Sequence, residues 1–142
     1  MNPDQSSPGF QLGPIGQISV NARDLERAVR FYRDTLSLPL LYSAERMAFF
    51  DAHGIRLMVA LPEREEFNHA GSIIYFSVPD IRKSYQQLVE RGVHCPQPPH
   101  CVAKLASGEL WMLFFHDTEG NLLALMSESQ APVGAGGPDD TL

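Results

Sequence analysis

One order of segments occurs twice in this chain: a short apolar stretch, an aspartate-capped amphipathic helix, then three further strand-like stretches. In the first copy, residues 15–20 lead to Asp24, a good N-cap, and Leu25, Ala28, Val29, Tyr32 and Leu36 then recur at helical spacing over 25–36. Pro39 bars the helix from continuing, and 40–44, 47–51 and 55–61 read as a three-strand meander. A polar connector over 62–70, with the charge run Glu63-Arg64-Glu65-Glu66 read as a solvated face, precedes the second copy. There, 72–78 is a strand, Asp80 caps a helix carried by Ile81, Tyr85, Leu88 and Val89, and Gly92 ends it. The stretch 93–105, broken by Pro96, Pro98 and Pro99, is followed by strands over 109–116 and 121–127. The order is βαβββ twice, and a tandem repeat identifies structurally equivalent positions.

The copies can be superposed by subtraction. Ser19-Val20 falls on Ser77-Val78 at an offset of 58, whereas the caps Asp24 and Asp80 are 56 apart, so the intervening loop is expected to differ by two residues. Residues 49–58 run parallel to 115–124 with Gly54 on Gly120, which sets Met58 against Ala124.

The repeat fills residues 14–128, with one module over 15–62 and another over 71–128; the flanks 1–13 and 129–142 are polar, rich in Pro, Gly and Ser, and read as disordered tails. A net charge of −6 without a basic run argues against nucleic acid and anionic membranes as partners. No apolar run is long enough to span a bilayer and no secretory leader is evident, so a cytoplasmic location is expected, with Cys95 and Cys101 as free thiols. The spacing around His94, Cys95, His100 and Cys101 matches no usual zinc pattern.

The two modules, the strand-Asp-helix openings and the turn Asp117-Thr118-Glu119-Gly120-Asn121 into the last strand resemble the vicinal oxygen chelate superfamily of glyoxalases, bleomycin-resistance proteins and extradiol dioxygenases. The resemblance implies an α+β fold in which two βαβββ modules form a curved, mostly antiparallel sheet around a cleft, and it implies a homodimer. It also implies a divalent metal held by His or Glu from the first and last strands of each module. Those four positions fall here on Gln17, Met58, Ile73 and Ala124. Only the Gln17 amide carries a hard donor, so the resemblance comes without its metal site, and no cofactor is expected.

Alternation along the strands adds Ser19, Arg56, Ala60, Tyr75, Leu122 and Met126 to the lining, an apolar wall with a few polar handles. The other reading of Met58, Ile73, Ala124 and Met126 is a filled core. His100, after a double proline, is a candidate at the cleft mouth, and Glu109 and Trp111 share one face of their strand. The expected function is therefore binding of a small, partly apolar ligand in a metal-free cleft by Gln17, Met58, Tyr75, His100, Glu109, Trp111 and Ala124. The acidic balance favours a cationic ligand by long-range steering. The alternative is an enzyme of lyase, isomerase or dioxygenase type. It would use His100 or Glu109 for proton transfer with Gln17 or Tyr75 orienting substrate, or hold a metal on His100, Glu109 and Gln17.

Overall fold

The computed structural model describes residues 9–129, so most of both expected tails lies outside the described residues. The first module contains β1 (Gln17–Asn21), α1 (Leu25–Arg30), β2 (Leu40–Ser43), β3 (Met47–Ala52) and β4 (Ile55–Ala60). The second contains β5 (Ile74–Ser77), α2 (Ile81–Glu90), β6 (His100–Leu105), β7 (Gly108–His116) and β8 (Leu122–Ser129). The strands make two four-stranded sheets, ordered β1-β4-β3-β2 and β5-β8-β7-β6, with no closed barrel. In each, the first strand lies parallel to the last and the other pairs are antiparallel. This is the α+β architecture of two βαβββ modules that the resemblance implies, with the strands in two sheets rather than one. Among the described residues no helix is long and apolar enough to cross a membrane.

Local chemistry accounts for both helices. Asp24 and Asp80 stand in extended backbone and their carboxylates accept from the amides of Arg27 and Lys83, satisfying donors that a first helical turn leaves free. Gly92, at φ +85°, ends α2 in the left-handed conformation that glycine adopts without penalty. The first helix departs from the expected 25–36 in one respect: after Arg30 it widens into a π turn over Phe31–Thr35. Phe31 and Tyr32, which open that turn, are both buried. Val89, expected on the buried stripe of α2, is instead half exposed. The proline-broken stretch is a strand only from His100 onward.

Sheet register corrects the superposition of the modules. Ser19 pairs with Met58, and the residue paired with Ala124 is Tyr75, so β1 and β5 are related by 56 residues, the same offset as the helix caps. The loop before the helix therefore does not differ in length. The difference lies in the last hairpin: Phe49 pairs with Met58 and Phe114 with Ala124, so Phe49-Phe50 is equivalent to Phe114-Phe115. The first hairpin turns on His53-Gly54, both at positive φ, a tight two-residue turn suited to the twist of its strands. The second uses the longer Asp117–Asn121 turn.

Alternate residues of each sheet face the helices. Val20, Ala48, Phe50, Leu57 and Val59 from the first sheet join Trp111, Leu113, Phe115, Leu123 and Leu125 from the second, with Ala28, Val29, Ile81 and Leu88 from the helices, in one continuous core. The Asp117–Asn121 turn joins the modules. Asp117, buried, accepts through Oδ1 from the amides of Glu119 and Asn121, and through Oδ2 from the Tyr32 hydroxyl at 2.6 Å and Asn121 Nδ2. Glu119 reaches into the first module. Its Oε1 accepts from the amides of Arg23 and Asp24 and from Arg27 Nη2, and its Oε2 from Arg27 Nε at 2.7 Å and Thr118. Gly120, at φ +90°, passes so close that a Cβ there would lie 3.3 Å from the Arg23 guanidinium.

Burial pushes the Glu119 carboxyl up, but the Arg27 side chain, the two backbone amides and Thr118 outweigh it and hold it down at about 2. Because the folded value lies below the ordinary 4.5, this contribution is complete above that pH and is lost as pH falls towards 2. Glu119→Gln is expected to cost about 2–3 kcal/mol at neutral pH and to flatten the acid limb of the stability curve. Urea unfolding at pH 7 and pH 3 checks both. Tyr32→Phe is expected to cost about 1.5–3 kcal/mol by removing a charge-assisted hydrogen bond, measured the same way.

Candidate functional site

Because Leu57 and Val59 face the helices, Arg56, Met58 and Ala60 occupy the other face of β4. On this helix-free face they neighbour Gln17, Ser19 and Asn21 of β1 and Met47, Phe49 and Asp51 of β3. Beside Met58 lies a cavity of about 390 Å³ lined by Ser19, Met47, Met58, Ala60, Phe67 and His69, among others. Its roof is the connector. Asn21 Nδ2 donates to the carbonyls of Phe67 at 2.8 Å and His69 at 3.2 Å, and Arg46 donates to the carbonyl of Pro62. The segment read as a solvated charge run is thus in part a cover: Glu63 and Phe67 line the cavity, while Arg64 and Glu66 pair with each other on the exposed side. The charges gave no hint of the apolar underside.

Next to the cavity runs a row of stacked groups. The Tyr42 and Phe49 rings stack with centroids 5.8 Å apart, and the Arg56 guanidinium lies over Phe49, 4.5 Å from its centroid. Gln17 fixes the far end, its Oε1 accepting from Arg56 Nε at 2.7 Å and its Nε2 lying 3.8 Å from the Met58 sulfur. Sequence reading found Gln17, Arg56 and Met58 on one face but missed Tyr42 and Phe49, whose positions follow only from strand register.

On the second sheet the helix-free face carries Tyr75 and Ser77 of β5, Ala124 and Met126 of β8, and Met112 and Phe114 of β7. His100 pairs with Met112 and shares that face, with Nδ1 3.4 Å from the carbonyl of Pro98. Ala124 lines no open wall. Its partners Tyr75 and Phe114 meet edge-to-face at 6.0 Å and the alanine is fully buried. Here the filled-core reading holds. Tyr75 lines a separate cavity of about 350 Å³ between the modules, bounded by Leu36, Leu38, Ala52, His53 and Leu125. Ile73, at 37% exposure, lines a third cavity with Asn21, Arg23 and the Glu119–Leu122 turn.

Glu109 and Trp111 do share a face, but it is the helix side. Trp111 is part of the core, Arg82 of α2 lies over its ring at 4.8 Å, and its indole donates to Glu109 at 3.1 Å. Lys104 completes that group 3.6 Å from Glu109. Glu109 therefore faces away from His100 and Gln17, and these three do not converge on one ion. The reason is parity: β7 runs 108–116 without a break, so odd-numbered residues follow Leu113 and Phe115 into the core. Cys95 and Cys101 are free and half-buried, and burial holds the Cys95 thiol above its ordinary range.

Comparison with known proteins agrees with this architecture. Residues 14–125 match the family model of the Glyoxalase/Bleomycin resistance protein/Dioxygenase superfamily. The chain belongs to that superfamily. Among curated proteins it is similar to the uncharacterized protein YraH of Bacillus subtilis, 27% identical over 123 residues that cover 77% of this chain and 94% of YraH. Among solved structures it is similar to a superfamily member from Sphaerobacter thermophilus, with TM-score 0.71 and 23% identity, covering 82% of this chain and 98% of the other. A lactoylglutathione lyase from Agrobacterium tumefaciens has TM-score 0.64 and 17% identity over 83% of this chain and 96% of the lyase. At these identities the solved structures establish the fold alone.

The glyoxalase-like fold implies a metal, and the residues at its four positions do not fit one. Gln17 Oε1, the single hard donor among them, is already taken by the Arg56 guanidinium, a fixed positive charge beside any incoming cation. Met58 offers a soft thioether, Ile73 offers no donor, and Ala124 is buried under two rings. Among the described residues, no three His, Cys, Asp or Glu side chains converge to replace them. The two last-strand positions differ in tolerance. Met58→Glu, on a half-buried cavity wall, is expected to shift stability by less than about 1 kcal/mol, whereas Ala124→Glu buries a carboxylate under Tyr75 and Phe114 and costs about 3 kcal/mol or more. Urea unfolding of the two variants checks the contrast.

Proposed function

We propose that this glyoxalase-superfamily protein binds a small, partly apolar organic molecule on the helix-free face without a metal or other cofactor. The observation that carries the reading is the placement of methionine. All four methionines among the described residues, Met47, Met58, Met112 and Met126, are half-buried on the helix-free faces, and none belongs to the core between sheets and helices. Thioether side chains are flexible and polarisable, so they suit a surface that adapts to a guest rather than a core that fixes one packing. The cavity beside Met47 and Met58, with an apolar wall and a few polar groups, supports the same reading. Gln17 and Met58 remain in the proposed lining, joined by Met47, Phe49 and Phe67, while Tyr75 and His100 stand on the helix-free face of the second sheet, Tyr75 beside the separate cavity between the modules. Glu109, Trp111 and Ala124 leave the lining.

The enzyme alternative draws on one observation, the imidazole of His100 beside Met112 on that same face. A cytoplasmic homodimer belongs to the proposal as well; Phe10, Leu12 and Ile15, each at least two-thirds exposed, are apolar side chains that a second copy can cover.

Methionine-methyl NMR tests the central claim. Titration with a fragment library is expected to move Met47 and Met58 first, and Met58→Trp, which fills the cavity, is expected to weaken those fragments at least tenfold. Fragments that bind without moving any of the four methyl signals overturn the reading.

A further inference from the structure

The Arg56 guanidinium is arranged as a receptor rather than as a structural ion pair. Its Nε is engaged by Gln17 Oε1 at 2.7 Å and its flat face rests on Phe49 at 4.5 Å, so two contacts fix its position. Among the described residues, neither Nη donates to a protein acceptor and no carboxylate lies within 4.0 Å of the group. Asp51 is its directly opposed neighbour on β3, yet the Asp51 carboxylate accepts from the Gly54 amide at 3.0 Å and serves the hairpin turn. An arginine held by Nε and by its face presents the Nη edge, and that edge matches a carboxylate with two parallel hydrogen bonds.

The surroundings narrow the ligand further. Phe49 and Tyr42 extend the stack to one side of the guanidinium. Met58 lies two residues along the same strand face, about 7 Å away by strand geometry, and opens onto the cavity of about 390 Å³. A carboxylate on Arg56 thus leaves room for a flat ring system over Met58, and the neighbouring aromatic and thioether surfaces suit such a ring.

Resting on the proposed small-molecule site, we infer that its ligand is an aromatic carboxylate, with Arg56 gripping the acid group and Gln17 positioning Arg56. This reverses the expectation that net charge favours a cationic ligand. The overall charge of −6 acts at long range and is screened, whereas a positioned guanidinium two residues from the cavity, its Nη edge unengaged among the described residues, decides the sign at contact.

The test uses the full chain and three probes of one shape: 2-naphthoate, the neutral 2-naphthamide and the cationic 2-naphthylmethylammonium, each followed at the Met47 and Met58 methyl signals. Naphthoate is expected to bind at least tenfold more tightly than the amide, with the ammonium weakest. Arg56→Gln is expected to bring naphthoate to within twofold of the amide. Arg56→Lys, which keeps charge but loses the fork, restores part of the preference. Equal binding of acid and amide, a preference that survives Arg56→Gln, or a preference for the ammonium overturns the carboxylate assignment and leaves the small-molecule site standing. If no probe moves either methyl signal, the assignment and the site reading fall together.

Discussion

The buried carboxylates of Asp117 and Glu119 join two halves that share no strand ladder. The sheets of the two modules are separate hydrogen-bonded units, so their relative placement rests on side-chain contacts and on this turn. Asp117 receives the Tyr32 hydroxyl from the first helix, and Glu119 receives the amides that open that helix together with Arg27. Each carboxylate is saturated by donors, which is the condition under which buried charge stabilises rather than disrupts. Asn121 extends the network to the carbonyl of Asn21, whose own amide holds the connector over the cavity. The cover of the candidate site is thereby tied, through two asparagines, to the joint between the modules.

That joint reaches into the irregular end of the first helix. Phe31 and Tyr32 open its π turn and both are buried, and Tyr32 packs against Phe50 at 5.8 Å while reaching Asp117. Burial, and then the Asp117 carboxylate, push the Tyr32 hydroxyl well above its ordinary range, so it stays protonated and keeps donating.

The four positions that the superfamily resemblance assigns to a metal hold an amide, a thioether, a branched alkyl group and a methyl group. The amide at Gln17 positions an arginine, and the methyl of Ala124 makes room for Tyr75 and Phe114 to close over it. A carboxylate at Ala124 has no space beneath those rings, and a cation beside Arg56 meets like charge.

The sequence by itself determined the βαβββ repeat, the two aspartate-capped helices and the faces of β1 and β4, because these depend on local periodicity and on side chains that bond to their own backbone. It also showed that, of the four positions the resemblance assigns to a metal, only Gln17 carries a hard donor, since donor chemistry is a property of residue type. Tertiary structure decided the rest. Whether Glu109 and Trp111 face the helices depends on the parity of β7, and the register of β1 and β5, which the Ser-Val match sets two residues off, follows only from their pairing with β4 and β8. The stack of Tyr42, Phe49 and Arg56 joins three strands, and the connector's role as a cover depends on Asn21, 46 residues before Phe67. Contacts between residues so far apart in sequence leave no periodic trace, because each strand is satisfied locally whichever neighbour it meets.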